Sequence, residues 1–236
     1  MRGPAERIST LLGGGRIVRT IFFPSKKNQV SLVFLRKGGG TVRVVAKFFV
    51  WGDISREAGV LEACRREKIR VPRILGRGGN LLLLEYLPGR SLQECLETDI
   101  SESSLVSLAE WMSSFHAAFD DGKEVLLKGD LRFHNFIVSR GRLWGFDFEE
   151  SVRGRREKDV AQLCVSFLGL GRGFGKSNYS ACRKFKALYE KISSKSLEGL
   201  RREMVLELRI RAGYLPALAD SYRRQAALLE EKGAEL

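Results

Sequence analysis

"LLKGDLRFHNFIVSRGRLWGFDFEES", residues 126–151, decides how the chain is read. Two short strands are expected on either side of the turn "SRGR" (139–142). Asp130 and Asn135 precede the first strand, five positions apart, and Asp147 follows the second, twelve further on. Such a stretch is either a hairpin with solvated polar ends or a place where polar groups converge.

The surroundings change character across it. Upstream, "RIVRTIFF" (16–23), "QVSLVFLR" (29–36) and "TVRVVAKFFV" (41–50) are β-branched and aromatic runs joined by the turn-like "PSKKN" and "KGGG". "DISREAGVLEACRREKI" (53–69) repeats apolar residues at helical spacing behind Asp53, a good N-cap. Pro72 ends it, and "NLLLLEYL" (80–87) reads as a buried strand running into "PGRS". A long amphipathic helix follows behind a serine cap (101–119), and from Lys158 onward nearly everything has helical pattern. The expected class is α+β. A small antiparallel sheet with one helix occupies 1–87, a larger α-rich part occupies 88–236, and a cleft between them is expected near Pro88 and Gly89.

Composition narrows the rest. With 44% hydrophobic and 29% charged residues, the 236-residue chain reads as a soluble globular protein. No apolar run approaches the roughly 20 residues of a membrane span, and "MRGPAERIST" lacks the apolar centre of a signal peptide. Cys64, Cys95, Cys164 and Cys182 are scattered and suggest reduced thiols. A cytoplasmic protein is expected. The net charge is +13, from 41 Lys and Arg against 28 Asp and Glu. That charge suits nucleic acid, acidic proteins, anionic lipid or phosphorylated metabolites. The basic residues are dispersed, without an arginine-rich tail or zinc-finger spacing, so a solvated basic surface is the plainer account and nucleic acid an open partner.

Phosphoryl transfer from ATP needs few groups. Magnesium must be held against the phosphate oxygens, a cation must neutralise them, and a base must orient the attacking hydroxyl. Magnesium prefers oxygen ligands and keeps several waters, so one carboxylate and one amide suffice. Asn135 and Asp147 are such a pair, and Asp130 is left to accept the proton.

"DLRFHN" resembles the Asp-Leu-x-x-x-Asn catalytic loop of protein kinases, and "FDF" the segment with the metal-binding Asp. The wider phrase "GDLRFHNFIV…LWGFDFEE" is similar to the aminoglycoside/choline-type phosphotransferases and other atypical kinases of the protein-kinase-like superfamily. The resemblance covers roughly residues 16–165 and implies a two-lobed fold using ATP and Mg2+. It implies a lysine on the third strand, which Lys47 fits, paired with Glu57 in the following helix. The Gly-x-Gly-x-x-Gly spacing is absent, and three glycine runs (13–15, 38–40, 76–79) compete for the phosphate loop. Counting strands back from Lys47 places "PSKKN" there instead. Its backbone, Ser25 and Lys26 or Lys27 are then the phosphate contacts, and the resemblance to aminoglycoside-type kinases, which use Ser and Asn there, implies Asn28 as well. "LLLLEYLPG" resembles the hinge strand that bonds adenine through its backbone, at Glu85 and Leu87.

Departures qualify the likeness. Lys128-Gly129 replaces the usual His-Arg or His-Gly, Glu149 stands where protein kinases have Gly, and no Ala-Pro-Glu follows. Eleven residues separate Asp147 from Asp159, which resembles the helix-start Asp that braces the catalytic loop. That leaves little room for a phosphorylation-switched segment. Arg132 matches the position where Ser/Thr kinases carry a lysine facing the γ-phosphate. His116 reads as a core residue, and His134 as a packing or bracing residue of the loop.

The reading implied is an ATP-dependent kinase acting on an alcohol group of a small molecule or sugar, an acceptor that the charge allows to be anionic. Two rivals stand beside it. One is an atypical Ser/Thr protein kinase associated with an RNA-bound complex, and the other is a non-catalytic scaffold that keeps the fold.

Overall fold

A computed structural model describes residues 3–25 and 27–231. Lys26, one of the two lysines expected near phosphates, lies outside the described residues. The chain forms two compact units. One holds the chain to Pro88 together with Gly145–Glu149, and the other holds Gly89–Trp144 and the chain from Glu150 on. The segment carrying Asp147 thus belongs with the N-terminal unit and not with the chain on either side of it.

The first unit contains α1 (Pro4–Leu11), β1 (Arg16–Phe23), β2 (Gln29–Lys37), β3 (Gly40–Phe48), α2 (Ile54–Arg66), β4 (Ile74–Gly78) and β5 (Leu81–Glu85). The strands form one antiparallel sheet in the order β1-β2-β3-β5-β4. Four consecutive leucines in β5, Leu81–Leu84, are buried. A strand without polar alternation needs cover on both faces, and it has it. On one face Ile8 of α1 packs with Val33, Val44, Ala46, Leu81 and Leu83. Side chains alternate along a strand, so Lys47, next to Ala46, points to the opposite face, where α2 lies. Asp53 caps α2 by accepting from the Ser55 N–H (2.8 Å), and Ala58, Leu61 and Cys64 form its buried stripe.

Neither α1 nor β4 was expected from the sequence. An eight-residue helix is marginal alone. Pro4 starts α1, and tertiary contacts do the rest. The Arg7 guanidinium donates to the Gly78 carbonyl (3.0 Å) and to Asn80 Oδ1 (2.9 Å). Gly76 and Gly78 let α1 lie close, because a Cβ at either would come within 3.2–3.3 Å of Leu11 side-chain atoms. The "GRGG" run is therefore mostly a strand under a helix. The other two glycine runs form the turn after α1 and the turn between β2 and β3.

The second unit begins with β6 (Arg90–Ser91), α3 (Leu92–Thr98), α4 (Glu102–Ala118) and β7 (Val125–Leu127). It continues with β8 (Phe136–Ser139), β9 (Arg142–Gly145) and β10 (Val152–Gly154). Four helices complete it: α5 (Arg156–Leu168), α6 (Lys176–Ser193), α7 (Leu200–Tyr214) and α8 (Ala219–Glu231). Trp111 and Phe115 of α4 stack at 5.3 Å, and Trp111 meets Phe136 edge-on at 5.2 Å, which seats the start of β8. β10 pairs antiparallel with β7, Val152 opposite Leu127, so the chain returning from Asp147 runs beside the strand that leads to Asp130. Among the described residues no helix is long and apolar enough to cross a membrane.

If α1 is part of the core, Ile8→Ala should lower unfolding free energy by about 2–4 kcal/mol, the range for truncating a buried aliphatic. Phe22→Ala, at a position 73% exposed, should change it by less than about 0.5 kcal/mol. Urea midpoints of the two variants compare these directly, and equal effects would mean α1 is not packed as described.

Candidate active site

In the first unit the geometry centres on Lys47. Its Nζ lies 2.7 Å from Glu57 Oε2, 2.7 Å from Asp147 Oδ1 and 3.3 Å from Glu149 Oε2. β3 and α2 bring the first two residues together, because position 57 falls on the first turns of the helix facing the sheet. Burial acts to lower the Lys47 pKa, but the charges of Glu57 and Asp147 outweigh it and hold the amine protonated beyond the ordinary lysine range. Glu57 is shifted upward, chiefly by burial, with Lys47 opposing and Asp147 and Glu149 adding to the rise. Oxygens of Glu57, Asp147 and Glu149 lie within 4.8 Å of one another. Such hard oxygen donors suit magnesium.

Asp147 has φ +65°, in the left-handed region that non-glycine residues rarely adopt. Strain of this kind, of order 1–3 kcal/mol, persists only where the surroundings fix it. Phe148 is fully buried, and the Gly145 N–H donates to the Arg70 carbonyl at 3.1 Å. Asn28 supplies another tie. Its Nδ2 donates to Glu149 Oε2 (2.6 Å), and its Oδ1 accepts from the Val50 and Trp51 N–H groups (3.1 and 3.3 Å). Ser25 Oγ accepts from the Asn28 N–H at 3.3 Å. The side chain of Asn28 is thus spent on holding the β1–β2 turn to Glu149 and to the loop after β3. This differs from the phosphate contact expected of it.

In the second unit the loop 128–135 is braced from several directions. Asp159 of α5 accepts from the backbone N–H groups of Lys128 (2.7 Å) and Gly129 (3.3 Å), and from His116 at 3.1 Å. His116 in turn meets the Tyr189 hydroxyl at 2.7 Å, which makes it a satisfied core residue. Gly129 has φ +90°, and a Cβ there would fall 2.2 Å from the Glu150 carbonyl oxygen. The Leu131 N–H donates to Gln162 Oε1 (2.9 Å). Asn135 Nδ2 donates to the Asp130 carbonyl (3.0 Å) and to Asp130 Oδ2 (3.2 Å), which turns the Asn135 oxygen away from that carboxylate. Arg132 Nε lies 3.0 Å from Asp130 Oδ1, and its guanidinium sits 5.7 Å from the Tyr214 ring centre. Arg211 anchors α7 to the same region through the Gln162 carbonyl and Ser166 Oγ, both at 2.9 Å. His134 is exposed, so of the two roles expected for it, packing or bracing of the loop, core packing does not apply.

No family model matches the chain. Over 92 residues it is 28% identical to a probable bifunctional tRNA threonylcarbamoyladenosine biosynthesis protein of Methanospirillum hungatei. The match covers 39% of this chain and 16% of that protein. Solved structures are similar over nearly the whole chain. Amicoumacin kinase in complex with AMP-PNP and Ca2+ superposes with a TM-score of 0.74 at 13% identity, over 96% of this chain and 92% of that one. Choline kinase of Cryptosporidium parvum gives 0.66 at 12%, over 91% and 89%. An aminoglycoside phosphotransferase, APH(4)-Ia with ADP and hygromycin B, gives 0.67 at 14%, over all of both chains. The fold is protein-kinase-like.

On this kinase-like frame, Lys47, Glu57 and Asp147 come together in one unit, and Asp130, Arg132 and Asn135 come together in the other. Glu85 pairs with Arg73 (3.1 Å), and its N–H donates to the Arg73 carbonyl at 2.8 Å. Leu87 is buried, and Ser25 and Lys27 are exposed. Sequence reading missed Glu149 as a partner of Lys47. Its place two residues after Asp147 was the available signal. It also missed Gln162, Arg211 and Tyr214, whose distance along the chain gives none.

Asn28 tests the first unit. Asn28→Asp keeps the acceptor for Val50 and Trp51 but sets a carboxylate against Glu149, so it should destabilise by about 1–3 kcal/mol. Protonating the new pair restores a donor. The deficit relative to the natural protein should therefore shrink as pH falls from 7 toward 4 and grow back as pH rises. Thermal melts across that range check it, and a pH-independent deficit would break the assigned contact.

Proposed function

We propose that the protein is an ATP-dependent phosphotransferase that moves the γ-phosphate of magnesium-ATP to a hydroxyl of a small molecule or sugar. The observation that carries this is Lys47 held at 2.7 Å from both Glu57 and Asp147. Buried cations are kept only where partnered; Glu57 would hold this one in place while its charge met the phosphates of a bound nucleotide. Asn135 and Asp147 would hold magnesium, which when bound neutralises charge on the phosphate oxygens. Asp130 orients the acceptor hydroxyl and takes its proton. Arg132, now paired with Asp130, offers its guanidinium to the transferred phosphate. Ser25, Lys27 and the backbone of the β1–β2 turn cover the other phosphates, with Asn28 shaping that turn. Since the Glu85 N–H is engaged by Arg73, adenine would be met by the Glu85 carbonyl and the Leu87 N–H. The reaction belongs in the cytoplasm on this reading, which suits four cysteines without a disulfide.

The groups beside Asp130 also bear on the acceptor. Arg132 and Tyr214 present a cation and an aromatic ring, a pairing suited to a neutral or anionic acceptor more than to an amino-sugar cation. A second reading, an atypical Ser/Thr protein kinase associated with an RNA-bound complex, has one observation in its favour. α7 exposes Leu206, Ile210 and Tyr214 in a row at i, i+4 and i+8, and Tyr214 ends it beside Arg132. An exposed apolar row is more than a small acceptor requires. An ATP-consumption screen over sugars, phosphosugars, nucleosides and protein substrates, with autophosphorylation scored in parallel, separates the two. No ATP turnover with any acceptor would leave the scaffold reading.

The aspartates should part company. Asp130→Asn is expected to keep magnesium-ATP binding while single-turnover transfer falls by ~10²–10⁴. Asp147→Asn should weaken nucleotide binding in the presence of magnesium, with little effect in its absence. Nucleotide titrations with and without magnesium decide this, and reversed phenotypes would reverse the roles. Lys47→Met should weaken ATP binding or turnover in a folded protein. Full activity at subsaturating ATP would remove Lys47 from the site.

A further inference from the structure

α6 carries a charge pattern that the phosphotransfer reading does not use. Its buried side is ordinary core, with Ala181, Cys182, Phe185 and Tyr189. Its opposite side exposes Lys176, Arg183, Lys184 and Lys191. At 100° per residue these four fall within about a quarter to a third of the helix circumference, in two columns seven residues apart, over roughly 22 Å of axis. The helix has a single acid, Glu190. It is taken by Lys186 (3.2 Å) and by the Leu197 N–H (3.1 Å). Among the described residues, none of the four exposed cations lies within ion-pair distance of a carboxylate. On α7 and α8, by contrast, exposed cations are paired, Arg209 with Glu230 and Arg223 with Asp220. The β1–β3 strands also carry basic residues, with no acid between Glu6 and Asp53, but spread over separate strands.

We propose that this face of α6 binds the phosphate backbone of a double-helical nucleic acid, without reading its sequence. A row of unpaired cations on a rigid helix complements a regular line of phosphates, and counterion release supplies the affinity. A membrane surface is the poorer partner, because an interfacial helix needs an exposed apolar side and that of α6 is committed to the core. The face holds no exposed aromatic on which single-stranded bases would stack, which favours a duplex. The proposal does not depend on the phosphotransfer reading.

The test uses the full chain and its variant with Lys176→Gln, Arg183→Gln, Lys184→Gln and Lys191→Gln, titrated by fluorescence anisotropy against labelled duplex RNA and duplex DNA of about 20 base pairs. Potassium chloride runs from about 50 to 200 mM. Each lost phosphate contact removes about 0.9 from the slope of log K against log salt, so the quadruple variant should lose about 3–4 units of slope. At the lowest salt it should bind at least about tenfold more weakly. A control with Arg140→Gln and Arg142→Gln, exposed cations on another element, should keep the natural slope. Melting temperatures and ATP consumption equal to those of the natural protein show that the quadruple variant is folded, and a single Lys184→Glu exchange, expected to lower the slope by about 1, replaces it if it is not. Binding to RNA, to DNA or to both with this loss of slope supports the proposal, and the two arms identify the source of the backbone. An unchanged slope, an equal loss in the control, or binding to phosphatidylserine vesicles but to neither duplex overturns it.

Discussion

One ammonium group among three carboxylates governs the first unit. Bringing a charge out of water costs several kcal/mol even after relaxation, and Glu57, Asp147 and Glu149 cannot share that cost without Lys47. Three carboxylates against one ammonium leave the cluster short of positive charge within a protein whose total is +13. A neutral donor, the Asn28 amide, adds one hydrogen bond to Glu149 at 2.6 Å without supplying charge. This accounts for the grouping of Gly145–Glu149 with the N-terminal unit: the segment follows its charges to Lys47. It also accounts for Asp147 keeping a left-handed backbone, since the carboxylate is needed at that point.

The second unit is arranged around backbone rather than charge. Asp159 holds two successive N–H groups of the loop before Asp130, and Gln162 holds the one after it. Both come from α5, which is buried along most of its length. Arg211 ties α7 to the same helix. Groups fixed this way need little reorganisation when charge develops near them.

Much of this was legible in the sequence, and what was not has identifiable causes. The strands around Lys47 and the helix with Glu57 announced themselves by period and capping, and the likeness to choline and aminoglycoside phosphotransferases in "GDLRFHN" and "FDFEE" holds at the level of fold. The bracing Asp159 was legible through the same resemblance, and its bonds to the Lys128 and Gly129 N–H groups agree with it. α1 was not, because its stability comes from Gly76, Gly78 and Asn80, some seventy residues away. The contacts of Asn28 were not legible for a related cause. Its position in the turn is local information, but its partner is 121 residues off. The glycine runs misled in the opposite sense, since glycine that admits a neighbouring helix looks the same in sequence as glycine that admits a phosphate.

The placement of Gly145–Glu149 bears on how the protein is made. The first unit is not finished when its own strands have left the ribosome. After Pro88, another 56 residues of the second unit must be synthesised before Gly145–Glu149 follows, several seconds at ordinary elongation rates. Through that interval Glu57 alone faces Lys47, and Asn28 lacks its acceptor. The nascent sheet therefore waits in an incomplete state, and a fragment stopped at Pro88 would never leave it. The two units are interleaved in time as well as in sequence, so no piece that stops short of Glu149 holds all of the first unit.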